Sequence, residues 1–383
     1  MLKSEDRILT THTGSLPRTA ELVSLLNKKD AGVKIDPEQF EKVVKDSLRI
    51  VVLKQQEAGI DIANDGEQSR VGFDTYVYNR MTGFGGEGIR SPIQDLEEFP
   101  EYAEKAFPAV GVRVTKTPKA IAPIKYTDLS SARKEIEDYK EILLETSAKF
   151  KESFMTAASP GAIAGILLNE YYESHRDYVF ALAEQMQKEY EFIVNSDLLL
   201  QLDCPDLAME RHWMFKELST PEFKEIVILH IEAINQAIEN IPSEKVRLHV
   251  CWGNYEGPHH RDIALEDILP DIYRAKVGAL SVEQANPRHQ HEYRVFHDYP
   301  LPKEKLLIPG VIDVKTNFIE HPEVVANRIK RVAEAVGDPS KIIAGTDCGF
   351  ETFAGWRLVD TNIAWAKLKS LSEGAKLASA ALF

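Results

Sequence analysis

Short apolar runs that end in polar residues recur along the chain, and helical patterns separate most of them. Such runs are typical of strands that are buried on both faces of a parallel sheet. The eight candidate strands are 8–15, 59–67, 153–161, 198–206, 246–253, 279–286, 305–313 and 341–349. This alternation predicts an α/β protein with a parallel sheet.

The segments between these strands carry helix start and stop signals. The stretch 36–59 opens with Asp-Pro and ends on Gly, and 220–242 and 321–340 follow the same pattern. Eight strand and helix units leave no strand over, so the sequence predicts a (β/α)8 TIM barrel. A doubly wound open sheet is the alternative, but no G-x-G-x-x-G follows the first strand.

The segment 68–150 is too long for one crossover between two strands. It contains the Gly-rich stretch YNRMTGFGGEGIR at 78–90 and an extended patch at 109–124. We therefore predict a single (β/α)8 catalytic domain over 1–383, with 68–150 as an insertion over the barrel mouth. A small β-hairpin within the insertion is one option.

Composition and charge exclude several classes of partner. The 383 residues are 44% hydrophobic, and no apolar run approaches the roughly 18 residues of a membrane span. A net charge of −14 disfavours nucleic acid, because phosphates need a basic face. The three cysteines form no even disulfide framework and the N-terminus lacks a signal peptide, so we expect a cytoplasmic protein. The sequence gives no indication of the oligomeric state.

Polar side chains gather at the C-terminal ends of the candidate strands. They are Ser15, Glu67, Asp203, His249, Cys251, Glu283, Asp313, Asp347 and Cys348. In a (β/α)8 barrel these ends converge on one mouth, where the catalytic residues of such enzymes lie. The pattern therefore predicts one shared polar site.

The stretch HVC suggests that this site holds a metal ion. His249 and Cys251 point to the same side of a strand, because successive side chains alternate. Alone, they favour a buried histidine beside an inert cysteine over a metal site. With Glu283 and Cys348 from other strand ends they offer one imidazole, two thiolates and a carboxylate, a set that suits Zn²⁺.

The chain resembles the catalytic C-terminal half of cobalamin-independent methionine synthase, and more closely its short single-domain relatives. Seven motifs carry the resemblance in order: TGSLPR (13–18), NDGE (64–67), QLDCPD (201–206), HVC (249–251), SVEQ (281–284), PGVID (309–313) and TDCG (346–349). The epoxyalkane:coenzyme M transferases of the same superfamily are also similar.

The resemblance implies a (β/α)8 barrel that uses Zn²⁺ and a small-molecule thiol substrate that joins the metal. The implied zinc ligands are His249, Cys251, Glu283 and Cys348. Zinc deprotonates a coordinated thiol and so presents a thiolate nucleophile. An alkyl group would then be displaced from a second small molecule, the alkyl donor.

The resemblance also bears on which thiol is used. Ser15, Glu67 and Asp203 match positions that hold the amino-acid end of homocysteine, with the two carboxylates facing its ammonium group. Coenzyme M carries a sulfonate and no ammonium group, so it would need cations instead. Candidate cations are Arg18, Arg70 and Lys315. The other interpretation of Glu67 and Asp203 is a pair that caps loops.

The residues on the donor side depart from the family pattern. Cys204 replaces a glutamate, and the stretch Asn169 to Tyr172 replaces the tryptophan that stacks on folate. We expect Tyr171 and Tyr172 to contact the donor, because a tyrosine can still stack on a pterin.

The family's proton-donating histidine aligns with Lys315, beside Asp313. We take these two as the candidate catalytic residues, although an unperturbed lysine is a poor acid at neutral pH. The alternative acids are His259, His260, His289 and His291.

The sequence thus predicts a zinc-dependent S-methyltransferase that forms methionine from homocysteine. The donor stays open between 5-methyltetrahydrofolate, a simpler methyl donor, a methylated corrinoid and an epoxide. The main alternative is an epoxyalkane:coenzyme M type thiol alkyltransferase, and a non-catalytic zinc-binding barrel is another. Uroporphyrinogen decarboxylase chemistry would need an arginine-rich mouth, which this acidic chain does not offer.

Overall fold

The computed structural model describes residues 1–106 and 116–383. The first part of the extended patch expected over 109–124 lies outside the described residues. The described strands are β1 (Leu9–Thr10), β2 (Ile62–Ala63), β3 (Met81–Ile89), β4 (Lys116–Tyr126), β5 (Glu152–Ala158), β6 (Leu199–Cys204), β7 (Val246–Val250), β8 (Ala279–Val282), β9 (Leu306–Ile312) and β10 (Ile343–Thr346).

Helices follow most of these strands and form the outer layer. The described α-helices are α1 (Ala20–Asp30), α2 (Pro37–Ala58), α3 (Gln94–Glu97), α4 (Pro100–Ala106), α5 (Ser130–Thr146), α6 (Pro160–Ile166), α7 (His175–Asn195), α8 (Thr220–Ala237), α9 (Leu265–Ile272), α10 (Val295–Asp298), α11 (Pro322–Val336) and α12 (Thr361–Leu382). None of them has the length and apolarity needed to cross a bilayer.

Eight of the strands form one parallel sheet in the order β1-β10-β9-β8-β7-β6-β5-β2. A parallel bridge between Thr11 and Ile62 joins the two ends of this sheet, so the barrel closes. Seven of the eight barrel strands fall within candidate strands, and β5 begins one residue before its candidate, at Glu152. The predicted (β/α)8 barrel is confirmed, and the open sheet is excluded.

Two of the long helices begin and end at the capping residues and glycines that the sequence predicts. The Asp36 side chain accepts a hydrogen bond from Glu38 N and caps α2, which ends at Gly59 in the left-handed conformation (φ 78°). Helix α11 begins after His321 and ends at Gly337 with φ 77°. Helix α8 ends at Ala237, short of the expected 242.

The segment between β2 and β5 adds elements to the barrel. Strands β3 and β4 pair as an antiparallel two-stranded sheet, and the short helices α3 and α4 lie between them in sequence. Helix α5 packs against α2 and α7 in the outer layer. This segment therefore contributes to the helical layer as well as to an additional small sheet.

A buried arginine joins strands across the barrel interior. Arg247 donates hydrogen bonds to Gln201 Oε1 at 2.7 Å, to Thr11 Oγ1 at 2.9 Å and to the His12 carbonyl at 2.6 Å. Its guanidinium group also lies 3.6 Å from the centroid of the Phe154 ring. Burial lowers the pKa of Arg247 to about 9. These contacts connect β7 to β6 and to the residues after β1.

We expect Arg247→Met to lower the free energy of unfolding by about 3–5 kcal/mol, because it leaves several buried acceptors without a donor. Urea denaturation followed by circular dichroism measures this change. The control is Arg331→Met on the exposed face of α11, with an expected change of about 0.5 kcal/mol or less. Equal stability of the two variants would contradict a bracing role for Arg247.

Candidate metal and substrate site

A cavity of about 830 Å³ opens at the carboxyl end of the barrel. Strand ends form its floor, and residues of the segment between β2 and β5 form part of its wall. Six of the expected site residues line it: Ser15, Glu67, Asp203, His249, Cys251 and Cys348. The structure therefore brings the candidate metal ligands and the candidate homocysteine contacts into one space.

Three of the four candidate metal ligands converge. Ligand atoms of His249, Cys251 and Cys348 all lie within 4.8 Å of one another, and the two sulfur atoms are 3.7 Å apart. All three side chains are buried, and neither ring nitrogen of His249 makes a hydrogen bond. A buried imidazole without a partner is costly. This donor set fits a metal ion that prefers nitrogen and sulfur ligands.

The two cysteines of this group differ in protonation. The hydrogen bond with Cys348, supported by His249, lowers the pKa of Cys251 to about 6 against the effect of burial. The same interaction raises the pKa of Cys348. Burial alone would lower the pKa of His249, but the nearby Cys251 reverses this and raises it. The site thus favours a thiolate at Cys251 without a metal ion.

Glu283, the fourth expected ligand, lies outside this group of converging atoms. Its Oε1 accepts a hydrogen bond from the Trp252 backbone N–H at 3.0 Å. Its Oε2 accepts from Lys315 Nζ at 2.7 Å and from Asn286 Nδ2 at 2.9 Å. Burial would lower the pKa of Lys315, but the Glu283 carboxylate reverses this and raises it well above its usual value. The two side chains form a buried ion pair.

The expected amino-acid contacts are buried and only partly hydrogen-bonded. Ser15 Oγ and Glu67 Oε2 have no hydrogen-bond partner, whereas Glu67 Oε1 accepts from Thr156 Oγ1 at 2.9 Å. Burial raises the pKa of Glu67. Burial, with a contribution from the Glu67 charge, raises the pKa of Asp203 to about 7. A cation between these carboxylates would stabilise both ionised forms.

Comparison with known proteins identifies relatives of the chain. Residues 232–370 match the family described as cobalamin-independent synthase, catalytic domain. The methionine synthase of Pyrococcus horikoshii is 29% identical over 372 residues, which are 96% of this chain and 92% of that protein. The methionine synthase of Thermococcus kodakarensis is 28% identical with the same coverage. The resemblance to cobalamin-independent methionine synthases is confirmed.

Solved structures of such synthases share the fold. A B12-independent methionine synthase from Shewanella, in complex with selenomethionine, has a TM-score of 0.73 at 21% identity. The match covers 98% of this chain and 99% of that one. A putative vitamin-B12 independent methionine synthase from Listeria monocytogenes has a TM-score of 0.63 at 20% identity, covering 97% and 98%. The chain thus has the barrel fold of these synthases.

The structure does not bring the residues expected on the donor side to the cavity wall. Tyr171 is 49% exposed, and the Tyr172 hydroxyl accepts a hydrogen bond from Ile124 N. Asp313 accepts hydrogen bonds from Lys315 N and Thr316 Oγ1. The expected stacking by the two tyrosines therefore lacks geometric support. Lys315, held as a cation by Glu283, is a poor proton donor.

The alternative histidines also lie away from the described cavity wall. His259 Nδ1 and His289 Nε2 both bond to Asp262 Oδ2, at 2.9 and 2.8 Å. His260 and His291 are exposed on the surface. Each of the two buried histidines thus has a carboxylate partner, and neither faces the cavity.

Sequence reasoning missed two features of the cavity. One is Asp74, a buried acid in the loop after β2 that lines the wall. Only its position in the sequence, seven residues after Glu67, could have indicated that Asp74 lies near the site. The loop has no regular hydrophobic pattern from which the direction of its side chains could be predicted. The other is an apolar upper wall, which includes Phe73, Ile89, Ile93, Leu96, Trp213, Phe353 and Trp356.

In the metal-free protein, we expect Cys251 to react with iodoacetamide before the two other cysteines at pH 7. Its pKa of about 6 leaves it mostly ionised and it lines the cavity, whereas burial raises the pKa of Cys204. Peptide mapping by mass spectrometry after short labelling measures the order. The labelling rate of Cys251 should rise with pH through about 6 and then level off. Equal labelling of Cys204 would contradict this assignment.

Proposed function

We propose that the protein is a zinc-dependent S-methyltransferase that forms methionine from homocysteine. One observation carries the proposal: two sets of buried, incompletely partnered polar groups open into the same cavity. One set, His249, Cys251 and Cys348, suits a metal ion, and the other, Ser15, Glu67 and Asp203, suits an amino acid. Relatives similar over nearly the whole chain are named methionine synthases, which supports the proposal.

The converging ligands suit zinc at a catalytic site. Catalytic zinc sites have three protein ligands and leave one position for a water molecule or substrate. His249, Cys251 and Cys348 would be those three ligands. Zinc, when bound, would hold a substrate thiol in its deprotonated form. Glu283 then acts through the Trp252 N–H and Lys315 rather than as a permanent ligand.

The charge distribution favours homocysteine over coenzyme M. Glu67 and Asp203 would hold the ammonium group, and Ser15 Oγ would donate to the carboxylate. The three cations that a sulfonate would need are bound elsewhere: Arg18 to the Glu351 and Glu67 carbonyls, Arg70 to Glu135, and Lys315 to Glu283. None of the three lies in the described cavity wall.

The compartment stays a prediction. Cys204, Cys251 and Cys348 are all free and buried, as a reducing cytoplasm would allow. Both substrates would be small molecules that reach the cavity from solvent.

We expect purified protein to contain about one zinc ion per chain, and Cys251→Ser and Cys348→Ser to lose most of it, because each removes one of three ligands. Inductively coupled plasma mass spectrometry gives the content. Cys204→Ser is the matched control and should keep its zinc, since the Cys204 sulfur contacts the Leu202 carbonyl instead. Full zinc content in Cys251→Ser would contradict the proposed ligand set.

We expect the protein to bind homocysteine about 10–100-fold more tightly than 4-mercaptobutyrate, which lacks the ammonium group. Asp203→Asn and Glu67→Gln should remove most of this discrimination by weakening only homocysteine. Isothermal titration calorimetry of the zinc-loaded protein measures both affinities. Discrimination that survives in both variants would contradict the assigned ammonium site, and tight binding of coenzyme M would favour the alternative alkyltransferase.

A further inference from the structure

The donor half of the cavity contains an acid that the proposed function has not used. We propose that Asp74 is the general acid that protonates the leaving group of the methyl donor. This inference rests on the proposed methyl transfer to homocysteine and adds the class of donor. The donor would be an N-methyl amine whose methylated nitrogen is uncharged and part of a flat ring system.

Asp74 is buried in the wall of the cavity that contains the proposed metal ligands. It is 4% exposed and lines the same cavity as Cys251 and Cys348. Its Oδ1 makes no hydrogen bond. Asp74 precedes the 3₁₀ turn Thr75–Asn79, but its side chain does not cap that turn. A buried carboxyl oxygen without a partner lowers stability and is more common where chemistry requires it.

The charges around Asp74 suit proton donation near neutral pH. Burial raises the pKa of Asp74 to about 7, with Arg90 opposing and Glu210 supporting the shift. Arg90 is bonded to Glu210 at 2.5 Å and lies 3.3 Å from the Trp213 ring centroid, so its charge is already compensated. An acid with a pKa close to the working pH transfers protons efficiently.

The other candidate proton donors of the cavity are paired, exposed or assigned to another part of the site. Lys315 is held by Glu283, and the only imidazole in the described cavity wall, His249, belongs to the metal group. Glu97 pairs with Lys216, and Glu104 is exposed at the entrance. Glu67 and Asp203 lie at the proposed ammonium site. Asp74 is thus the buried acid left for the donor.

The step balances with one proton. The homocysteine sulfur forms a bond to the methyl carbon as the bond between that carbon and the donor nitrogen breaks. The bonding electron pair passes to the nitrogen, which takes the proton of Asp74. The Asp74 carboxylate regains a proton from solvent after product release. A sulfonium or methyl corrinoid donor would need no acid, so the presence of Asp74 favours the amine over these two.

The apolar wall of the cavity is consistent with this donor class. Phe73, Trp213, Phe353 and Trp356 lie around the same space as Asp74. Aromatic side chains stack on flat ring systems and exclude water from them. Both basic residues in the described wall are paired, Arg90 with Glu210 and Lys116 with Glu87. A neutral ring body therefore suits this wall better than a polyanionic one.

The test compares two methyl donors that differ in their need for a proton. Zinc-loaded protein is assayed for methionine from homocysteine with 5-methyltetrahydrofolate and with methyl iodide, whose iodide leaves unprotonated. In Asp74→Asn, we expect the ratio of the folate rate to the methyl iodide rate to fall at least about 100-fold. Asp74→Glu should restore part of the ratio. Glu104→Gln, which also removes an acid from the wall, should leave the ratio unchanged.

The pH profile provides a second readout. With wild-type protein, kcat/KM for 5-methyltetrahydrofolate should decrease above about pH 7, whereas the methyl iodide reaction should show no such decrease. The charged groups that face Asp74 are Arg90 and Glu210, and they are bonded to each other. The rate with 5-methyltetrahydrofolate decreases as pH rises because Asp74, once ionised, has no proton to donate.

Three outcomes would overturn the inference. An equal loss with both donors in Asp74→Asn would indicate a structural role, and circular dichroism would show whether the variant folds. Wild-type activity with methyl iodide but not with 5-methyltetrahydrofolate would exclude the amine donor and leave the proposed function intact. No methionine from either donor would refute the proposed function itself, and the inference with it.

Discussion

The parallel pairing of the first strand with the last is the contact on which the site depends. Leu9 pairs with Ile343, and beyond them Thr13 bonds to Thr346 through backbone and hydroxyl groups. Because this contact joins the amino-terminal strand to the carboxyl-terminal one, Ser15 lies beside residues 348–350. The amide of residue 350 donates to the Ser15 carbonyl at 2.9 Å. Without this pairing, Ser15 of the proposed amino-acid site would not lie next to Cys348 of the proposed metal site.

Glycine and one carboxylate hold this junction together. A Cβ atom on Gly349 would lie 2.0 Å from Ser15 Oγ, so only glycine allows the close approach. Asp347 Oδ1 accepts backbone hydrogen bonds from Gln284 and Ala285, each at 2.9 Å. This carboxylate therefore ties the loop after β8 to the end of β10. It fixes the position of Cys348 relative to the Glu283 ion pair, although the two come from different strands.

The sequence predicted the parts of the site that follow from strand direction. Side chains at the ends of parallel strands meet whatever their exact rotamers, so His249, Cys251 and Cys348 were predicted to converge. Glu283 follows the end of its strand as expected. The direction of its carboxylate, however, is set by hydrogen bonds from Trp252 N and Lys315, and sequence spacing does not predict these contacts. The role of Lys315 was also not predictable from sequence alone. Its position in the sequence suggested a proton donor, but the buried contact with Glu283 keeps it protonated.

The residues of the donor side could not be predicted for a related reason. Asp74 lies in an irregular loop, and the apolar wall is assembled from segments that have no shared periodicity. From their position in the sequence, Tyr171 and Tyr172 were expected to contact the methyl donor. In the structure they face β4 and the surface, because the Tyr172 hydroxyl bonds to Ile124 N. Loop side chains depend on tertiary contacts that local patterns do not encode.

The buried carboxyl groups of the cavity lower the stability of the folded chain when they ionise. Burial raises the pKa of Asp203 and Asp74 to about 7 in the folded chain, whereas an unfolded aspartate titrates near 4. The folded state therefore binds more protons between these values, and each group lowers the stability as pH rises from about 4 to 7. The ammonium group of an amino acid would offset this cost at Asp203. At Asp74 the Arg90 cation is compensated by Glu210, so this carboxyl keeps its proton to a higher pH than a free aspartate does.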